Sequence, residues 1–278
     1  MNADNLQPGV YYDIPNEKYH SMKDAVSNSG LGDLLRSPFH YWSRHLDPDR
    51  PAERTKAGQL EGTLAHCSIL EPDEFGKRYI VGPSVNKNTK RWKEFAAQST
   101  ADGLEAIKVE QYDAAMRQAE SVRRLPDVAE ALSRGKAETS AVWQDTQTGV
   151  LCRCRPDWIY EPGGGAVILD VKTYSDASPN EFARQIARKG YARQDAMYSE
   201  GYTLAAQTPV LGFLFLAVES DWPYAASVSM LDDDSKDAGH HEYRRALEVY
   251  AECKQANRWP AYSTGVEVVR LPAWKLVA

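Results

Sequence analysis

A chain of 278 residues, 42 % apolar and 26 % charged, is long enough for one well-packed domain or two small ones, and its composition excludes a disordered or fibrous protein. No apolar run reaches the ~18 residues of a membrane span, and the polar first twenty residues hold no signal-peptide core, so a cytoplasmic location is expected. A net charge of −6 argues against nucleic-acid binding over the whole surface but leaves room for a local basic channel.

Residues 1–26 read as irregular. Ser27 then offers an N-cap for a short helix carrying Leu31, Leu34 and Leu35, and Ser37-Pro38 pairs a cap with an N1 proline for a second. Arg36, between two helix starts, is a candidate phosphate contact, with ordinary capping and a surface arginine as the plainer account. Residues 47–57 read as a charged linker. Residues 58–72 are helical by the spacing of Leu60, Leu64 and Cys67, with Glu61 and His66 as polar exceptions on a small-residue helix. A lone histidine is more often a hydrogen-bonded structural group than a ligand. The basic run Lys87, Lys90, Arg91 and Lys93 around Trp92 fits either a DNA backbone contact or a solvated loop face. Residues 110–134 read as an amphipathic helix followed, after Pro126, by a shorter one.

Residues 139–144 alternate into a strand, and 145–149 make a turn. The next segment, Cys152 to Thr173, places two β-rich runs about a Glu-Pro-Gly-Gly-Gly turn and reads as a hairpin. A turn centred between Gly163 and Gly164 sets Asp157 directly across the ladder from Asp170, ~5 Å apart at Cβ. Lys172, two residues on, points to the same face. Either aspartate alone reads as a solvated strand residue. Together they repel, and a hard divalent cation between them reconciles the charges. A lysine beside that cation orients a water or neutralises charge developing on phosphorus. Asp170 also interrupts the apolar run Ala166–Val171, which reads as a buried strand where a charge needs a partner. Asp, a turn, then Asp-x-Lys thus points to metal-dependent phosphodiester cleavage.

Pro179 to Gln207 has the makings of one long helix, with Tyr191, Asp195, Tyr198 and Tyr202 at helical spacing and Gln194 four residues from Tyr198. Its basic residues Arg184, Arg188, Lys189 and Arg193 fit a phosphate backbone or a solvated edge. Val210–Val218 is a buried strand, Ala225–Leu231 another, and 233–257 a final long helix with an acidic first turn. His240-His241-Glu242 lacks metal-ligand spacing and reads as surface. Cys67, Cys152, Cys154 and Cys253 lack the spacing of a zinc or iron–sulfur set and read as free thiols. The last twenty residues show only a short β-prone stretch at Val266–Arg270. The order of elements gives an α/β (α+β) chain, a mixed central sheet flanked by helices. No convincing linker divides residues 1–278: 1–135 form a mainly helical N-terminal portion, 136–257 the catalytic sheet and helices, and 258–278 a tail.

Arg155-Pro156-Asp157 followed by Asp170-Val171-Lys172-Thr173 resembles the PD-(D/E)xK nuclease signature. GTLAHCSILEPDEF (Gly62 to Phe75), GVLCRCRPDWI (Gly149 to Ile159), ILDVKT and QDAMYSEGY (Gln194 to Tyr202) resemble, in that order, the RecE-type (lambda-exonuclease-like) exonucleases of phages and prophages, as do SNSGLGDLLRSPFHYW and EYRRALEVYAEC with the WPAY that follows. The resemblance implies a restriction-endonuclease-like fold and a Mg2+-dependent 5′-to-3′ exonuclease on linear double-stranded DNA, with Mn2+ able to substitute, that leaves 3′ single-stranded tails. It also implies a ring-shaped homo-oligomer, trimer or tetramer, and a RecT/beta-like single-strand-annealing partner. By resemblance, Asp157, Asp170, His66 and the Val171 carbonyl hold the metal, Lys172 acts on the attacking water, and Gln194 and Tyr198 complete the site. Glu138 is a further acidic helper, and the role of Glu61 is open. Ser29, Arg36, Arg91 and Arg188 are the DNA-contact candidates. The competing readings are a RecB-like repair or CRISPR-associated nuclease, in which a cysteine cluster is common, and a catalytically silent DNA-end-binding module.

Overall fold

The computed structural model describes residues 6–51, 58–263 and 265–276; the expected linker at 47–57 therefore lies mostly outside the described residues. The N-terminal stretch is more ordered than its composition suggests. Strand β1 (Gly9–Tyr11) and helix α1 (Asn16–Ser21) precede α2 (Asn28–Arg36), where Ser27 Oγ accepts the Gly30 N–H as the cap requires. Ser37 caps α3 (Pro38–Tyr41) in the same way, and a π-helical turn, Trp42–Leu46, continues it.

A helical layer follows. It comprises α4 (Gln59–Leu70), α5 (Pro72–Arg78), α6 (Lys90–Ala101), α7 (Val109–Arg123) and α8 (Pro126–Arg134). The small residues of α4 let it lie close against α7, and Ser68 Oγ donates to the Ala115 carbonyl at 2.9 Å across that contact. The basic run around Trp92 opens α6, capped by Thr89, rather than forming a loop. Two short parallel strands, β2 (Tyr79–Val81) and β3 (Glu105–Ile107), join this layer.

The remaining strands, with β1, form two sheets. In the smaller one, β5 (Ser140–Gln144) lies between β1 and β6 (Leu151–Cys154). The larger has the order β10-β9-β8-β7-β4, with β4 (Lys136–Ala137), β7 (Trp158–Tyr160), β8 (Ala166–Tyr174), β9 (Val210–Glu219) and β10 (Ala226–Ser229). It is mixed, because β9 runs parallel to β8 and every other neighbouring pair is antiparallel. The first β run of the expected hairpin is therefore two strands in two sheets. Pro156 causes the break, since it has no N–H to offer a ladder. The hairpin survives as β7–β8, and Gly163 and Gly164 both take left-handed φ (111° and 74°) at the turn.

The long helix expected over 179–207 is two helices, α9 (Pro179–Lys189) and α10 (Tyr191–Ala206), parted at Gly190 with φ 67°. Helix α11 (Asp233–Ala256) crosses α10, and one core links α2, α10 and α11 to one face of the large sheet, while α7 and α8 cover the other. The β-prone stretch Val266–Arg270 forms no strand; beyond it only a four-residue helix, α12 (Ala273–Leu276), is regular. All four cysteines are free and buried. Among the described residues, no helix is long and apolar enough to cross a membrane.

Candidate active site

The site forms where β7 gives out. The pairs Trp158↔Leu169 and Ile159↔Ile168 set a register in which Asp157 faces Asp170, as the turn glycines predict. A longer β7 would offer Pro156 to Val171. Instead the Asp157 carboxylate turns into that gap, and its Oδ2 accepts the Val171 N–H at 2.7 Å. The backbone edge of Val171 thus faces the carboxylate.

Asp170 sits in the middle of β8 and is 1 % exposed. Its Oδ1 accepts Gln194 Nε2 at 2.6 Å, and the Lys172 ammonium lies against Oδ2. Burial pushes the Asp170 carboxyl above the usual carboxylate range; Lys172 opposes the rise and Asp157 adds to it. Burial disfavours the Lys172 charge, yet Asp170 and Asp157 outweigh it and hold the ammonium protonated. The Lys172 ammonium also lies 4.8 Å from the Tyr191 ring centroid.

Helix α4 brings His66 to the same place, with Nδ1 3.5 Å from Asp157 Oδ2. Glu138 arrives from the β4–β5 link with a left-handed backbone (φ 49°), and its N–H donates to the Asp157 carbonyl at 3.0 Å. His66, Glu138 and Asp157 each offer a ligand atom within 4.8 Å of the others. Burial, reinforced by the Asp157 charge, pushes the Glu138 carboxyl up to about 7, with Arg155 opposing. One imidazole and clustered carboxylates suit a divalent metal, and the mutual repulsion of Glu138, Asp157 and Asp170 is what such an ion relieves. The tight triad contains Glu138 where the sequence put Asp170 first; Asp170 is held instead by Lys172 and Gln194. Tyr198 stands on the same helix as Gln194, edge-on to Phe213, and burial keeps its phenol protonated.

The remaining expected residues divide. Ser29 and Arg188 are exposed, Arg91 is exposed on α6, and Arg36 donates to Tyr262 Oη at 2.9 Å. None of the four has a contact with the carboxylates. Glu61 is engaged by Gln111 at 2.7 Å. Arg193, expected at a phosphate backbone or on a solvated edge, is instead buried, bonded to Asn28 and paired with Glu242. Gly32 and Gly190 make room for it, since a Cβ at either would fall within 2.9 Å of its guanidinium. His240 and His241 are surface residues, as expected. No cysteine joins a ligand cluster among the described residues, which removes the feature that would favour an iron–sulfur nuclease.

Sequence reasoning missed a basic concavity at the start of α2. It is lined by His20, Lys23, Ser27, His45, Arg50 and Arg153. Arg153 is 8 % exposed, and its Nε has no partner among the described residues. The alternating strand hid it, because charge on β6 reads as a solvent-facing residue.

The fold resembles the crystal structure of a candidate exonuclease from Eubacterium rectale, with a TM-score of 0.59 at 14 % identity, covering 96 % of this chain and 99 % of that one. Two further structures are too distant to bear on the fold. These are the protein SSO0001 (TM-score 0.30, 10 % identity, 56 % of this chain and 70 % of that one) and VC1899 from Vibrio cholerae (0.22, 8 %, 84 % and 61 %). No curated protein matches. Residues 27–272 match a single family profile, and they include every residue of the carboxylate–lysine site. The chain therefore belongs to the family described as PDDEXK-like domain of unknown function (DUF3799), and its fold is that of the PD-(D/E)xK nucleases.

Proposed function

We propose that the chain is a Mg2+-dependent exonuclease that degrades the 5′-ended strand of linear duplex DNA, as the RecE-type resemblance implies, with Mn2+ able to replace Mg2+. The observation that carries this reading is the joining of two carboxylates, a half-buried lysine and a histidine from three separate elements at the open end of β7. When bound, a divalent cation neutralises charge on the scissile phosphate and lowers the pKa of water. His66, Asp157, Glu138 and Asp170 would hold it, with the Val171 carbonyl on the adjoining backbone edge. Lys172 carries a charge on the spot where a water attacks and orients that water or balances the phosphorane. Gln194 fixes the Asp170 rotamer, and the Tyr198 hydroxyl is a donor for a phosphate oxygen.

The basic concavity at the start of α2 supports the 5′ polarity. A terminal phosphate carries more charge than an internal one, and a helix N-terminus with Arg153 and Lys23 suits it. Ser29 lies in the first turn of the same helix, and the exposed Arg36, Arg91 and Arg188 are candidates for the duplex backbone. The ring-shaped homo-oligomer and the single-strand-annealing partner belong to the same reading, since a ring lets an acidic protein line only its channel with basic groups.

Linear duplex labelled at either 5′ or 3′ end, incubated with Mg2+, tests the proposal. The 5′ label should be released first, closed circles should stay intact, and Asp157→Ala should lower the rate by at least ~10³-fold. Early loss of 3′ label or nicking of circles would assign the chain to another nuclease class, and no cleavage of any DNA would end the enzyme reading.

A further inference from the structure

The stretch Val266-Glu267-Val268-Val269-Arg270-Leu271 has the composition of a strand, with three β-branched residues and one acid in its first four positions. In the structure it belongs to no ladder. Val266 and Val268 are 102 % and 101 % exposed, and Val269 and Trp274 are also open to solvent. An exposed apolar run of this kind suits a contact surface.

The large sheet shows the complementary deficit. β10 is its edge, pairing among the described residues with β9 alone, and Ala226-Ser227-Val228-Ser229 carries none of the charges or prolines that usually guard an edge. Beside it lies an apolar groove of about 460 Å³ between the sheet and the α7–α8 corner, lined by Leu125, Val128, Ala131, Leu169, Leu214 and Val228. Val228 belongs to both features. A strand laid on the β10 edge would send alternate side chains into the groove.

The tail of the same subunit is poorly placed to reach it. Trp259 stacks on Tyr41 and packs tilted against Tyr250 near the C-terminal end of α11, and Tyr262 is held by Arg36. β10 leads into the opposite end of α11. Tyr250 and Asp233 are about 26 Å apart along that helix. The six residues from Tyr262 to Val268 span at most about 22 Å when fully extended.

We propose that residues Val266–Leu271 of one copy add as a strand to the β10 edge of a second copy, with Val266 and Val268 entering the apolar groove. The contact is heterologous, because tail and edge are different surfaces of the subunit, so repetition yields a closed ring or an open chain. It gives a physical basis to the proposed ring and rests on that reading only for self-association, not for cleavage.

Sedimentation velocity on the full chain tests it. Val268→Asp alters a fully exposed residue, and Val228→Lys places a charge on the edge. Each variant alone should sediment as a single subunit while wild type sediments as an oligomer. An equimolar mixture of the two should form dimers, because it retains one intact tail and one intact edge. Oligomers that persist in Val268→Asp would overturn the tail contact and leave the ring standing. Wild type that is monomeric at tens of micromolar would overturn both. Two variants that dissociate but do not complement one another would place the tail on its own subunit and overturn the exchange.

Discussion

Gln194 and Asp195 are neighbours on α10 with opposite fates. Gln194 spends its amide on Asp170, while Asp195 turns away into the α10–α11–β9 side, 4 % exposed, with one oxygen bonded to Ser199 and the other without a donor among the described residues. Burial pushes the Asp195 carboxyl up to about 6, with Ser199 and Lys236 opposing. The folded state therefore keeps its proton longer than the unfolded state as pH rises. Stability from this group is full below about pH 4, falls through the interval, and is lost above about 6. Two pH units correspond to at most about 3 kcal/mol. Asp195→Asn, which keeps an acceptor for Ser199, should stabilise the protein by about 1–2 kcal/mol at pH 8 and by nearly nothing at pH 4, as read by urea denaturation at both. An equal gain at both values would mean that charge is not the cause. The contrast also shows what a sequence carries. The opposition of Asp157 and Asp170 was legible because one turn fixes one register. Glu138 was named only through the resemblance, as a further acidic helper, since its approach depends on a left-handed backbone and on β4 pairing with β7, and no local pattern encodes either. Neither sequence reading of Arg193, phosphate contact or solvated edge, foresaw its burial, because its partners, Asn28 and Glu242, lie far away along the chain.

Elements were legible where caps and periods are strong, as in α2, α4, α7 and α11. They were lost where tertiary contact decides. β1, β2 and β3 are three residues each, too short to show alternation, and exist because a partner strand is present. The break between α9 and α10 is a case of one glycine outweighing a continuous helical pattern. Gly239 is another such position. It lies within α11 with helical geometry, where alanine is intrinsically better by about 1 kcal/mol. A Cβ there would meet the Ala192 carbonyl oxygen at 2.2 Å and its Cβ at 2.9 Å. The crossing of α10 and α11 depends on that approach, and α10 carries Gln194 and Tyr198. Gly239→Ala should therefore destabilise by about 2 kcal/mol, against its helix propensity, and lower cleavage through displaced Gln194 more than it lowers secondary structure by circular dichroism. A stabilised variant would show that α11 moves freely over α10.

At the scale of the molecule, the site is a seam. His66 belongs to the helical layer, Asp157 and Asp170 to the large sheet, and Gln194 to the helices on its other face. The carboxylates of Asp170 and Glu138 both lie in the field of Asp157, and Lys172 offsets only part of that repulsion. A divalent cation that fits the site must therefore bind the folded state and not the unfolded chain, and it must raise the melting temperature. At one hundred times its dissociation constant the gain is about 2.7 kcal/mol, or roughly 5–10 °C for a chain of this size. Scanning calorimetry with and without Mg2+ or Mn2+ should show that rise in wild type. Asp157→Ala should abolish it, and His66→Ala should reduce it, because the helical layer is then no longer tied to the sheet through the ion. Lys172→Ala separates binding from chemistry. Without the ammonium that now balances Asp170, the cation should bind as well as before or better, while cleavage is lost. A Lys172→Ala protein that no longer responds to the cation would mean that the lysine organises the acidic cluster itself, and its assignment to the attacking water would have to be given up.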